Sequence, residues 1–119
     1  MAFSKYLTFA KKAYIVRYVR VEARMEVEFR DKTLALVETD QAAQTRLPFA
    51  VINSLRQKLV VIRAAPDDRT LRNWKSLHYE KMEGEERSIR LNDQYRLIFT
   101  ITGEKETTKM TVLSIWNHD

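Results

Sequence analysis

The order of hydrophobic periodicities along this chain predicts an α+β domain, with an antiparallel helix hairpin packed on a mostly antiparallel sheet of three to five strands. An alternating apolar run comes first, two segments with apolar residues at helical spacing follow, and further alternating runs separated by polar turns come last. A length of 119 residues suits one such domain with a single core. With 45% hydrophobic and 31% charged residues, the composition is that of a folded chain.

Phe3, Leu7, Ala10 and Tyr14 fall at steps of four, three and four, an apolar stripe at helical spacing. A short docking helix or a frayed extension is the plain reading, although the lysines among them also suit a transit peptide or a membrane-surface helix. No sustained apolar stretch precedes a small-residue cleavage site, which argues against a signal peptide. Val19 to Arg30 then alternates strictly. Val19, Val21, Ala23, Met25, Val27 and Phe29 share one side and charged residues the other, as in a strand with one wet face.

Asp31 is placed to cap a helix running through Ala35, Leu36, Val37 and Ala42 to about Thr45. Leu47-Pro48 breaks it, and a proline suits the first turn of the next helix, where its missing N–H is not needed. In that second helix Phe49, Ile52, Leu55, Leu59 and Ile62 make a core-facing stripe, which Pro66-Asp67-Asp68 ends. A link this short predicts that the two helices lie antiparallel. Asp67 to Lys75 reads as a loop or short turn whose Leu71 and Trp74 pack rather than bind. Ser76 to Glu83 is a predicted strand and Gly84-Glu85-Glu86 a turn. Arg87 to Leu91 and Tyr95 to Thr102 form a hairpin around Asn92-Asp93-Gln94. A polar turn from Gly103 to Thr108 leads into the last strand, Met110 to Trp116.

The net charge of +5 does not by itself point to nucleic acid, because of where it sits. Residues 1–24 carry six basic residues against the single acid Glu22, whereas residues 25–119 carry fifteen of each sign. Any anion-binding surface in the second part must come from local clustering. With no cysteine, disulfides, thiolate metal sites and cysteine nucleophiles are excluded. The two histidines, His78 and His118, give little support to a metal centre, and no metal or other cofactor is expected. No apolar run approaches the length that spans a bilayer, so no membrane partner is expected and a reducing cytoplasm is compatible with the composition.

Local clustering is found around the predicted hairpin, where Lys81, Arg87, Arg90 and Arg96 fall within one short stretch. By alternation Arg87, Ile89 and Leu91 share a face of the first strand, and Ser88 and Arg90 the other. In the return strand Tyr95, Leu97, Phe99 and Ile101 lie opposite Arg96, Ile98 and Thr100. If the aromatic and aliphatic side seats the helices, Arg90 and Arg96 project from the other side, while Arg87 at the strand's edge is ambiguous. Guanidinium groups gathered in this way grip phosphates bidentately and stabilise charge building on a scissile phosphate. The alternative is a solvated face whose arginines pair with Glu83, Glu85 or Glu86. Trp116 suits stacking on a base or covering the edge of the core.

The segment Leu77-His78-Tyr79-Glu80-Lys81, followed by Arg87-Ser88-Ile89-Arg90-Leu91-Asn92-Asp93-Gln94-Tyr95-Arg96-Leu97-Ile98-Phe99, resembles the HigB branch of the RelE/ParE toxin superfamily. The resemblance covers most of the chain from Met25 onward. It implies a RelE-like fold and the toxin of a type II toxin–antitoxin pair, of the kind that serves plasmid maintenance. Such a toxin is a metal-independent endoribonuclease that cuts mRNA in the ribosomal A site, and a HigA-like helix-turn-helix antitoxin silences it. The chemistry uses the substrate's own 2′-hydroxyl as nucleophile, so the protein supplies an acid, a base and charge stabilisers.

That branch usually carries L-x-P-L-K-G before the hairpin; here Tyr79 stands in place of the proline and Gly84 comes two residues late. Lys81 inherits by position the role of phosphate or transition-state contact. Arg96 matches the arginine of the Y-R-L pattern, preceded by Tyr95, and Arg90 that of S-I-R-x-N. Relatives commonly end in an aspartate-tyrosine-histidine run, of which Trp116-Asn117-His118 keeps only the histidine. The resemblance thus implies Lys81, Arg96 and His118 as catalytic, with His118 transferring protons. Arg90, Arg87, Tyr95, Trp116 and Asn117 are implied to contact RNA. The altered ending leaves two alternatives open: a ParE-like toxin that inhibits DNA gyrase by binding it, and a degraded homologue that still binds its antitoxin. HigB-like chains typically begin with a strand near the position of Met25. Residues 1–24 are therefore expected to be a basic extension, from an upstream start or as a docking helix, and residues 25–119 the toxin domain. An intact N-terminal peptide beginning before Met25, in protein from the native host, would overturn the later start.

Overall fold

The computed structural model describes residues 25–104 and 107–117. The expectations for the stripe at Phe3 to Tyr14, for the strand before Met25 and for His118 lie outside the described residues. Strands β1 (Glu26–Phe29), β2 (Glu80–Lys81), β3 (Arg87–Arg90), β4 (Tyr95–Thr102) and β5 (Lys109–Asn117) form one sheet in the order β1-β5-β4-β3-β2. Helices α1 (Lys32–Ala35), α2 (Phe49–Ala64) and α3 (Asp68–Arg72) all lie between β1 and β2 in the chain. Neighbouring strands are antiparallel except β1 and β5, which run parallel. Parallel neighbours need a long connection, and the helices supply one. The α+β class read from the periodicities is the one observed.

β1 forms because its alternation separates Val27 and Phe29, half-buried against the core, from exposed Glu26 and Glu28. The predicted helix from Asp31 to Thr45 is not continuous. Asp31 does cap a helix, accepting from the backbone N–H of Thr33 at 2.8 Å and Leu34 at 3.3 Å, but α1 has a single turn. Two 3-10 turns, Leu36–Glu38 and Ala42–Thr45, take the rest. Thr39 separates them. Its hydroxyl donates to the Leu36 carbonyl at 2.8 Å and accepts from the Gln41 N–H at 3.0 Å, offering the backbone local partners in place of helical ones.

α2 is the helix that its stripe predicts, with Leu55, Leu59 and Ile62 fully buried. Phe49, however, is 78% exposed, because Val51 takes the inward position in the first turn. Pro48 sits at the N-cap, one residue before the helix. Asp67 caps α3 through the N–H groups of Arg69 and Thr70, and Leu71 and Trp74 pack as expected. The strand expected over Ser76 to Glu83 shrinks to the two residues of β2. Lys75–Leu77 is a 3-10 turn that sends Leu77 into the core, and His78 leaves it in the left-handed conformation at φ 49°. In the β3–β4 turn the Asn92 side chain accepts from the N–H groups of Gln94 and Tyr95, each at 2.8 Å. Gly103, at φ +79°, has its side-chain position filled by the Thr107 carbonyl oxygen, 2.1 Å from where a Cβ would stand.

Leu55, Leu59 and Ile62 meet Ile89, Leu97, Phe99, Met110 and Val112 in the main core, which fixes the helix-facing side of the sheet. β5 does not hold one phase along its length. Ile98 pairs with Ser114 but Phe99 pairs with Val112, so Leu113 is an inserted residue, a β-bulge. Met110 and Val112 therefore face the helices, while Ser114 and Trp116 face away.

Candidate nucleic-acid interface

The register across β3, β4 and β5 sets Arg90 opposite Arg96 and Arg96 opposite Trp116. Cross-strand partners project to the same side, so these three side chains form a row on the face away from the helices. Ser88, Ile98 and Ser114 form the next row. Two arginines placed directly opposite repel each other, and the structure separates their environments. Arg96 is only 8% exposed. Its Nε donates to the fully buried Ser88 hydroxyl at 2.9 Å, and its Nη2 donates to the His78 carbonyl. The left-handed turn at His78 presents that carbonyl, and the exposed Glu80 carboxylate lies 3.9 Å from the same nitrogen. No hydrogen bond of the Arg96 Nη1 group is made among the described residues. Arg90 is half-buried and forms no ion pair with a described residue. Trp116 is 46% exposed.

The sequence expectation that Arg90 and Arg96 share the side opposite the helices holds, with one correction. Arg96 does not project into solvent, because Ser88 and the His78 carbonyl draw its guanidinium down onto the sheet. Lys81 and Arg87 belong elsewhere. Lys81 pairs with Arg87 and Arg87 with Phe99, which places both on the helix-facing side at the edge of the sheet. It is Glu80, not Lys81, that shares a face with Arg96. Lys81 is exposed; Arg87 donates from Nη1 to the carbonyls of Gly84 at 3.3 Å and Glu86 at 3.0 Å. Next to them, the Tyr79 ring meets Phe99 edge-on at 5.8 Å. Burial holds the Tyr79 hydroxyl above its usual pKa, helped by the charge of Asp68 and opposed by Arg87 and Arg72.

Tyr95 and Asn117 are cross-strand partners on the helix-facing side, at the other end of β4. The Asn117 amide donates to the Tyr95 hydroxyl at 3.4 Å. The structure thus brings Arg90, Arg96 and Trp116 together, pairs Lys81 with Arg87, and pairs Tyr95 with Asn117.

Three features of the site escaped the sequence reading. Ser88 was visible as a face-mate of Arg90 by alternation, but its role as the acceptor for Arg96 depends on register. The His78 carbonyl carries no sequence signal. A groove of about 380 Å³ also runs beside Trp116 on the same face, lined by Arg30, Met82, Glu86, Ile98 and Leu113 among others. These residues come from four separate segments. Among the described residues no group of three or more His, Cys, Asp or Glu side chains could hold a metal ion. No described helix is long and apolar enough to cross a membrane.

Comparison with known proteins adds to this geometry. A family model described as "RelE-like toxin of type II toxin-antitoxin system HigB" matches residues 27–112. Toxin HigB-1 of Vibrio cholerae serotype O1 is 37% identical over 78 residues, covering 63% of this chain and 82% of that protein. A solved YoeB/ParE toxin from Agrobacterium tumefaciens aligns with 80% of this chain and 100% of its own, at a TM-score of 0.49 and 13% identity.

Proposed function

Because the chain belongs to the RelE-like HigB family of type II toxins, a class that implies an antitoxin partner, we propose that it is an endoribonuclease cutting mRNA in the ribosomal A site. The observation that carries this reading is the row of Arg90, Arg96 and Trp116 on the sheet face that the helices leave uncovered. In the proposed reaction the 2′-oxygen attacks the neighbouring phosphorus and the 5′-oxygen leaves. One proton is taken up, one is given back, and negative charge gathers on the phosphoryl oxygens. Arg90 grips that phosphate from the solvent side. Arg96 lies beneath it with its guanidinium already fixed by Ser88 and His78 and its Nη1 hydrogens unspent, an arrangement that needs no reorganisation as charge develops. Trp116 stacks on an adjoining base, a contact of about 1–3 kcal/mol.

His118, which follows the end of β5 in the chain, is assigned the proton transfer. The hydrogen bond between Tyr95 and Asn117 steadies the strand end that leads to it. Lys81 and Arg87, on the other side of the sheet edge, hold phosphates away from the scissile one. The partner that silences the toxin is a HigA-like helix-turn-helix antitoxin, which covers the arginine row or blocks entry to the A site. The site of action is then the cytoplasm, where the ribosomes are.

Induced expression tests the reading. Wild-type protein is expected to arrest growth and to create new mRNA 5′ ends by primer extension. Arg90→Ala and His118→Ala are each expected to abolish both effects while still co-purifying with the antitoxin. Growth arrest with intact mRNA and altered plasmid supercoiling would assign the toxin to gyrase instead. Antitoxin binding with no arrest would mark a degraded toxin.

A further inference from the structure

We propose that the groove beside Trp116 is a subsite for a guanine base of the RNA strand, a proposal that rests on the endoribonuclease reading for the path of that strand. Trp116 belongs both to the arginine row and to the groove, so a strand whose phosphate lies on Arg90 and Arg96 delivers its next base there. The volume, about 380 Å³, is within the range of small-molecule sites. Its floor is Ile98, which is 6% exposed yet stands apart from the core beneath the helices. Met82 and Leu113 supply apolar walls for a ring, and the indole supplies a stacking face.

Two charged side chains give the groove its selectivity. Arg30 follows β1 and is anchored by its backbone N–H on the Val112 carbonyl at 2.9 Å. Glu86 lies in the turn before β3, anchored by its N–H on Glu83 at 3.1 Å and by its carbonyl, which accepts from the Met82 N–H at 2.8 Å. β5 and β4 run between these two positions in the sheet, so the charges stand on opposite sides of the groove. Neither side chain forms an ion pair or hydrogen bond with a described residue. A guanidinium only donates and a carboxylate only accepts. Guanine offers O6 and N7 as adjacent acceptors for the first, and N1–H and the 2-amino group as adjacent donors for the second. Adenine and uracil present neither pair, and cytosine lacks the paired donors. The groove therefore reads a base next to the cut, which the arginine row does not.

Binding of short 2′-O-methyl RNA oligonucleotides, which lack the nucleophile, measures the subsite without cleavage. The purified full chain is expected to bind a guanine-containing oligonucleotide about tenfold more tightly than the adenine or inosine version. Glu86→Ala should erase the difference between guanine and inosine, and Arg30→Met should lower the guanine preference, both with binding of the adenine oligonucleotide unchanged. Equal binding of all oligonucleotides, no binding of any, or a preference that survives both substitutions overturns the proposal. Cleavage of unmodified mRNA on ribosomes is scored separately. Guanine preference without cleavage removes the endoribonuclease reading and keeps the subsite; cleavage without guanine preference does the reverse.

Discussion

Arg90 and Arg96 are the same residue type, in register with each other, and they have different work. Arg90 is half-buried and forms no ion pair with a described residue, whereas Arg96 ties β4 to β3 through Ser88 and to the turn before β2 through the His78 carbonyl. Replacing Arg96 strips a fully buried hydroxyl and a carbonyl of their donor. Arg96→Met is accordingly expected to lower the unfolding free energy by about 1–3 kcal/mol. Arg90→Ala should stay within about 0.5 kcal/mol of wild type. Urea denaturation of the two variants side by side checks this, and equal midpoints would count against it. Alternation was enough to read that both arginines share a face. Which of them is buried was not legible, because the answer depends on a left-handed histidine with no glycine or asparagine to announce it. Phe49 gives the same lesson: its helical spacing was right, but Val51 competed for the inward position and took it.

Among the elements, α2 and the β3–β4 hairpin were legible because long apolar stripes and strict alternation dominate any local competition. The segment after β1 was not. Its apolar spacing fits a helix, but Thr39 bonds the backbone locally and the helix breaks into turns. The carbonyls set free are satisfied from α2, where Arg56 donates from Nε to Val37 at 2.7 Å and from Nη2 to Thr39 at 2.9 Å. Arg63 adds an ion pair to Glu38. Arg56 is therefore the clamp that holds the broken segment on the long helix. Arg56→Ala is expected to cost about 1–2 kcal/mol, and hydrogen exchange should show faster amide exchange over residues 36–45 than over α2. Unchanged exchange in that segment would show that packing of Val37 and Ala42 alone suffices.

At the scale of the molecule, charge and topology bear on the same surface. Residues 25–119 carry as many acids as bases, so the RNA binding proposed for the sheet would draw on a few local cations and not on a general field. Two or three phosphate contacts predict a dependence of log K on log salt with a slope of about −1.4 to −2.1. Arg90→Ala should make that slope shallower by about 0.7. A much steeper slope would assign RNA contacts to the six basic residues of positions 1–24. The sheet order was only partly legible: antiparallel pairing follows from short turns, but the parallel β1–β5 pair depends on where a long crossover delivers its ends. The bulge at Leu113 was not legible at all. Its consequence is that β5 behaves like a message with a frame shift written into it. Upstream of Leu113 the even-numbered residues are read by the core; downstream they are read by the face of the sheet away from the helices. Removing Leu113 alone leaves those faces as they are, because Ser114 still meets Ile98, whereas straightening the strand with Leu113 kept turns Trp116 inward and Ile115 outward together. In this strand the irregularity at position 113 is what assigns each later side chain to its face.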